Sequence, residues 1–260
     1  KMVFLAPPSD HTTTLFKLLA DLRVDGLITD SGDPSNTLSA ILQGENAHTR
    51  RLAAVQEAVT MAANREVAPL HIPLGLVLDV AVAGAMPRVG TTTQAFALYH
   101  FLGRMGFHPA ILDQGQPALK AVLDLYRQQT VTREDHIEVK GIRIVADRSS
   151  AFDAYISDYG TLSPEWVKPF CAADLSVLVG GVKPWELPEL AMIHATVNQE
   201  GPRELVTLLS FAGSEDLEAV RQFVSPCAAV AYHPDIWMPG SDAVYREAVL
   251  PQLKRICGQQ

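Results

Sequence analysis

Leu76-Val77-Leu78-Asp79-Val80-Ala81-Val82-Ala83-Gly84 runs into Ala85-Met86-Pro87-Arg88-Val89-Gly90 and on into Thr91-Thr92-Thr93-Gln94-Ala95-Phe96-Ala97-Leu98-Tyr99-His100-Phe101-Leu102. The first stretch belongs to the run Pro73–Met86, where Leu74, Leu76, Val77, Leu78, Val80 and Val82 read as one strand of the kind buried in a parallel sheet. The last has helical spacing to about Met105, with Ala95, Leu98, Tyr99 and Leu102 on its inner face and Gly106 as its stop. A loop between a buried strand and a helix N-terminus exposes main-chain N–H groups, and the helix dipole adds partial positive charge there. Such a place suits a phosphate, and small residues let the backbone approach it closely. Thr91, Thr92 and Thr93 either cap the helix or offer a hydroxyl to Mg²⁺. The other reading is a tight turn with threonine caps and no ligand.

Outward from this stretch, strands alternate with helices. Strands are expected at Ala110–Asp113, Ala154–Asp158, Leu175–Val179, Leu205–Phe211 and Ala228–Tyr232, with a hairpin of His136–Lys140 and Ile142–Ala146 hinged at Gly141. Helices are expected at Pro117–Gln128, Pro188–Val197, Ser214–Phe223 and Ser241–Ile256, the last kinked at Pro251. That alternation predicts an α/β fold with a mostly parallel sheet flanked by helices. Residues 1–65 form a separate β-α-β-α segment, with strands at Val3–Ala6 and Val24–Thr29 and helices over 12–22, 35–43 and 47–64. The domain division expected is therefore 1–65 and 66–260.

Bulk properties narrow the function. The apolar fraction of 48% supports a well-buried core, and a net charge of −8 argues against non-specific nucleic-acid binding, which needs an excess of Lys and Arg. Cys171, Cys227 and Cys257 are far apart, without metal-ligand spacing, and read as free thiols of a reducing compartment. No stretch is long and apolar enough to span a bilayer, and the N-terminus lacks a signal-peptide core. The expectation is a cytoplasmic protein, reaching a pole or membrane through a partner. Lys1 in place of an initiating Met reads as a fragment of a longer chain.

Four landmarks, in order, carry a family resemblance. Pro87-Arg88-Val89-Gly90-Thr91-Thr92-Thr93 resembles the deviant Walker A loop of ParA/MinD ATPases, roughly Lys-Gly-Gly-Val-Gly-Lys-Thr-Thr. Ala110-Ile111-Leu112-Asp113 is similar to the strand that ends in the family's switch I aspartates. Phe152–Gly160 resembles the Walker B strand ending in Asp, here Asp158, and Ala231-Tyr232-His233-Pro234-Asp235 the turn that packs near adenine. The resemblance implies a P-loop nucleotide-binding domain over 66–260. It implies nucleotide contacts from Pro87, Arg88, Val89, Gly90, Thr91, Thr92, Thr93, Pro234 and Asp235. It makes Thr92 a direct Mg²⁺ ligand and Asp158 an acceptor behind it, with Asp113 and Asp158 as the catalytic candidates. Asp158 alternatively caps the turn at Gly160, and Asp113 alternatively plays the same structural part.

The chain also departs from that pattern. The two family lysines fall at Met86 and Thr91, neither of which neutralises β/γ-phosphate. Pro87 and Arg88 replace two glycines; Pro87 has no N–H to offer, while Arg88 either forks onto phosphate or stays solvated. Gly115 stands where the second switch I carboxylate belongs. Weak or absent hydrolysis with retained binding of ATP and Mg²⁺ is the expectation.

Elsewhere, Lys183 and Trp185 in Gly180–Glu186 read either as a phosphate or partner contact and an interface anchor, or as a Gly-Gly turn with Trp185 folded over the core. Residues 1–65 resemble the second half of a receiver-like domain, an arrangement of the CpaE/TadZ branch, which is associated with placing pilus or secretion machinery. That resemblance implies a nucleotide-dependent localisation or assembly factor, working as a homodimer with a protein partner. The alternatives are a scaffold that no longer binds nucleotide and a slow ATPase using Arg88 or Lys183.

Overall fold

The structure is a computed structural model and describes residues 3–5, 26–28, 69–210, 212–230, 237 and 243–259. The chain divides into two compact units, Lys1–Glu66 and Val67–Gln260. In the first, β1 (Val3–Leu5) pairs in parallel with β2 (Gly26–Ile28). The three helices expected there lie outside the described residues.

The second unit is built on a nine-stranded sheet in the order β11-β10-β9-β3-β8-β4-β7-β6-β5. Its strands are β3 (Leu78–Gly84), β4 (Pro109–Leu112), β5 (Thr130–Thr132), β6 (Ile137–Val139), β7 (Ile142–Val145), β8 (Ala154–Thr161), β9 (Leu175–Gly181), β10 (Leu205–Ser210) and β11 (Cys227–Val230). Pairing is parallel from β11 through β7; only β7-β6-β5 is antiparallel. Every residue of β9 and all but Asp79 of β3 are buried, as expected of central strands covered on both faces. Among the described residues seven α-helices flank the sheet: α1 (Thr91–Arg104), α2 (Pro117–Leu125), α3 (Pro164–Cys171), α4 (Leu187–Glu200), α5 (Ser214–Arg221), α6 (Ala243–Ala248) and α7 (Leu250–Ile256). Phe96, Phe101, Leu98 and Leu102 of α1, with Leu78 and Ile111 beneath, are fully buried.

Helix α1 closes as its sequence requires. Phe107 N–H donates to Leu102 O (3.1 Å) and Gly106 N–H to Gly103 O (3.2 Å), with Gly106 at φ 101°. This paired closure needs a left-handed residue, and glycine takes that conformation without steric penalty.

Several expectations are corrected. The strand expected from Leu74 begins at Leu78: Leu74 is fully exposed and Val77 is exposed too. Hydrophobicity without burial does not extend a ladder. The C-terminal helix is two helices meeting at Val249, because Pro251 has no N–H to continue the first and instead occupies the opening turn of α7. Strand β5 and helix α3 went unread; α3 is eight residues long and carries Pro169 inside it.

Candidate functional site

The centre of the sheet is a crossover point. From β3 the chain passes over β8 to reach β4, while β9, β10 and β11 lie on the other side. In open α/β sheets ligands bind outside the carboxyl ends of the strands at such a point, and here the loop from Gly84 to Thr91 lies there. Ala85 N–H donates to Val179 O on β9, and Leu162 N–H, just past β8, donates to Gly84 O, both at 2.8 Å. Gly84 is needed for close packing: a Cβ on it would lie 2.5 Å from Thr91 Oγ1 and 2.9 Å from Val89 Cγ2. Val89 is buried, and its carbonyl accepts the Ser210 hydroxyl from the end of β10 at 2.6 Å.

Gly90 (φ 90°) turns the chain into α1, and no side chain caps that helix. The first intrahelical bond runs from Gln94 N–H to Gly90 O (2.9 Å). The amides of Thr91, Thr92 and Thr93 precede it and have no intrahelical acceptor. Arg88 adopts φ 65°, a left-handed conformation that glycine takes freely and other residues seldom do.

On this framework two residues expected to act together do meet. Thr92 Oγ1 donates to Asp158 Oδ2 at 2.6 Å. Asp158 is buried and stands opposite Val82 in the β3–β8 ladder. Its second oxygen, Oδ1, accepts Gly160 N–H at 2.9 Å where the strand turns with φ 63°. The carboxylate therefore joins the helix start to its own strand end, capping the turn at Gly160 while it accepts the Thr92 hydroxyl. Burial pushes its carboxyl above the ordinary value of 3.8, while the Thr92 hydroxyl and Gly160 amide pull it down.

Mg²⁺ demands oxygen ligands and keeps several waters, commonly pairing one or two protein groups with substrate phosphates. Thr92 and Asp158 are a donor set of that kind. No cluster of three His, Cys, Asp or Glu exists among the described residues, so phosphate oxygens and water would complete the coordination.

The departures have a structural form. Met86 is buried in the core, while Pro87 and Arg88 are exposed and Arg88 makes no ion pair among the described residues. Thr91 is buried, its hydroxyl turned to Gly84. Asp113 is not brought to Thr92 or Asp158: it is exposed and accepts Gly115 N–H at 2.8 Å. The β4–α2 loop reaches β8 through other residues. Gln114 Nε2 donates to Ser157 Oγ (3.4 Å), and the Gln116 amide lies over Gly160. These glutamines and Ser210 were missed in the sequence. Ser210 had one usable signal, its place at the carboxyl end of a strand beside the crossover. Pro234 and Asp235 lie outside the described residues.

In the loop after β9, Lys183, Pro184 and Trp185 are exposed, and Trp185 does not fold over the core. Cys171, Cys227 and Cys257 are buried free thiols with pKa values pushed up by burial, unlike a reactive cysteine. No helix among the described residues is long and apolar enough to cross a membrane.

No protein-family model and no curated protein sequence matches the chain. Solved structures do. A putative plasmid partition protein from Borrelia burgdorferi bound to AMPPNP is similar with a TM-score of 0.50 and 8% identity, over 70% of this chain and 99% of that one. The MinD cell division protein of Aquifex aeolicus gives 0.48 and 12%, over 71% and 98%. The septum site-determining protein MinD of Pyrococcus horikoshii, complexed with Mg-ADP, gives 0.43 and 15%, over 61% and 83%. The fold of the second unit is that of a ParA/MinD-like P-loop protein.

Proposed function

We propose that the chain binds ATP with Mg²⁺ at the loop from Pro87 to Thr93 and acts as a nucleotide-dependent localisation or assembly factor, with weak or absent hydrolysis. The observation that carries this reading is the 2.6 Å contact between Thr92 Oγ1 and Asp158 Oδ2 at an uncapped helix start. A buried carboxylate holding the hydroxyl at the first turn of α1 is what a Mg²⁺–phosphate complex requires. The Borrelia protein of like fold holds AMPPNP. Weak hydrolysis follows from Met86 and Thr91 in place of cations and from Gly115 in place of a carboxylate. In this reading the chain works as a homodimer of the CpaE/TadZ kind on a pilus or secretion machine. Residues 1–65 are its partial receiver-like domain and 66–260 its nucleotide-binding domain.

A second reading, a scaffold that no longer binds nucleotide, draws on one observation: Met86 is buried and the Thr91 hydroxyl packs on Gly84, so neither position brings a cation to the loop. A slow ATPase would depend on Arg88 or Lys183, both exposed.

Thermal unfolding with and without Mg-ATP separates these. Ligand at a hundred times its Kd stabilises the fold by about 2.7 kcal/mol, so binding raises Tm. Thr92→Ala is expected to remove the magnesium-dependent part of that rise. An unchanged Tm at saturating nucleotide selects the scaffold. Phosphate release that disappears in Arg88→Ala or Lys183→Ala selects the slow ATPase.

A further inference from the structure

The peptide between Val89 and Gly90 has one end held and one end free. Its carbonyl accepts the Ser210 hydroxyl from the end of β10 at 2.6 Å, inside the protein. The peptide is trans, so its N–H and C=O point in opposite directions. The Gly90 N–H is therefore aimed away from β10. It meets no acceptor among the described residues, and in the sheet order β8, with Asp158, lies on that far side of β3. We propose that Ser210 is the positioning residue of the nucleotide loop: its hydroxyl decides whether a phosphate meets the N–H or the C=O of this peptide. The proposal rests on the nucleotide reading above.

The backbone on either side makes that orientation matter. Gly90 holds φ 90° and ψ 26°, and Thr91 opens the helix. A left-handed residue followed by a right-handed one turns successive N–H groups, here those of Gly90, Thr91 and Thr92, toward one concavity. Turning the Val89–Gly90 peptide over replaces the first of those donors by a carbonyl oxygen, whose partial negative charge repels phosphate. Gly90 does not oppose the turn, which changes only ψ of Val89 and φ of Gly90, because glycine takes negative φ as readily as positive. The buried Val89 side chain anchors its own Cα, not the plane of the peptide beyond it.

Ser210 is placed to oppose it. The residue is buried, and its strand pairs with β9 on one side and β11 on the other, so the hydroxyl sits on a rigid element. Its ladder neighbours are Gly181 and Val230, neither of which carries a side-chain donor to take its place. A Cβ on Gly90 would lie 3.7 Å from Ser210 Oγ, which puts the hydroxyl beside the turn itself. Without that hydroxyl the Val89 carbonyl is left buried with no donor. Turning it outward to water relieves the penalty and brings it to the side where the phosphate would lie.

The test takes two measurements on the full chain. Titration calorimetry gives the affinity for Mg-ATP. In the ligand-free protein, NMR gives the distance from Val89 Hα to the Gly90 amide proton, which a turned peptide must change. Ser210→Ala is expected to change that distance and to weaken Mg-ATP binding about tenfold, the loss of one charge-assisted hydrogen bond. Ser210→Thr keeps the hydroxyl and is expected to match wild type in both. Ser210→Cys, a weak donor, is expected to fall between them and carries the test if Ser210→Ala does not fold. Unchanged binding in Ser210→Ala overturns the positioning role. So does weakened binding with the peptide unturned, or a loss in Ser210→Thr equal to that in Ser210→Ala. A wild type that binds no Mg-ATP overturns the nucleotide reading itself, and the role of Ser210 with it.

Discussion

Strands β3 and β9 lie side by side, each ends in a glycine, and each leads into a fourteen-residue helix, yet the two loops are finished differently. After β9 the chain supplies its own anion. The Glu186 carboxylate folds back over Gly181, and its Oε2 accepts Lys183 N–H at 2.9 Å. After β3 there is no acid: Gly90 leads into α1 uncapped, and Thr91, Thr92 and Thr93 open it. One loop is closed by its own carboxylate and the other has none, although no side chain caps either helix. Two loops of like topology on adjacent strands thus differ in the feature that separates a structural turn from a phosphate site.

The glycines give the largest contrast. At Gly84 an added methyl meets Thr91 Oγ1, Val89 Cγ2 and, at 3.0 Å, the Met86 backbone carbonyl, which cannot swing aside. Gly84→Ala is expected to destabilise by about 3 kcal/mol, the upper part of the overpacking range. At Gly181 the added methyl meets the end of the flexible Glu186 side chain. Gly181→Ala should release that carboxylate and lose one hydrogen bond, about 1 kcal/mol. Urea unfolding of both variants checks the order; equal losses would mean that the two loops are equally rigid.

The next contrast is electrostatic. Asp158 is buried with its carboxyl raised by burial, so between its ordinary value and its raised one the folded state holds more protons than the unfolded state. Stability must then fall as pH rises through that window. Asp158→Asn should flatten this fall and, without metal, stabilise the protein at neutral pH. Thr92→Ala should act the opposite way, by about 2 kcal/mol, because the carboxylate loses a hydrogen bond while staying buried. Denaturant titrations across pH test both. A wild type that loses no stability relative to Asp158→Asn as pH rises above 3.8 would sink the assignment of a buried carboxylate with a raised pKa.

These contrasts also mark what could be read from the sequence. The strand–loop–helix at Leu78–Arg104 and the order of the parallel strands' segments were legible, because period and glycine placement are local signals, whereas the Thr92–Asp158 pairing, 66 residues apart, was implied only by the family resemblance. The locking of Val89 by Ser210 was not, since the two are 121 residues apart and only the sheet order brings them together. Nor was the Glu186 carboxylate, whose role depends on how one side chain folds over a glycine. Leu74 misled because an apolar residue signals burial only when a partner strand covers it. Asp113 carried two readings for a related reason: a strand-end acid is equally suited to closing its own turn, and Gly115 N–H takes it.

The smallest effect is the most diagnostic for the loop itself. Arg88 holds a left-handed φ of 65° at a place where glycine is the natural residue, and its side chain is exposed. Holding a non-glycine residue there costs roughly 1–2 kcal/mol, while glycine adds roughly 0.5–1 kcal/mol of unfolded-state entropy. Arg88→Gly should therefore stabilise the ligand-free protein by no more than about 1.5 kcal/mol. If the guanidinium meets phosphate, the same change should weaken Mg-ATP binding about tenfold, since a hydrogen bond to a charged group contributes about 1.5 kcal/mol or more. Stability and affinity would then move in opposite directions from one substitution. Neither neighbour in the loop can produce that split, because Met86 is buried and Pro87 carries no charge. A variant that gains stability and keeps its affinity would leave the backbone amides of α1 alone to hold the phosphates.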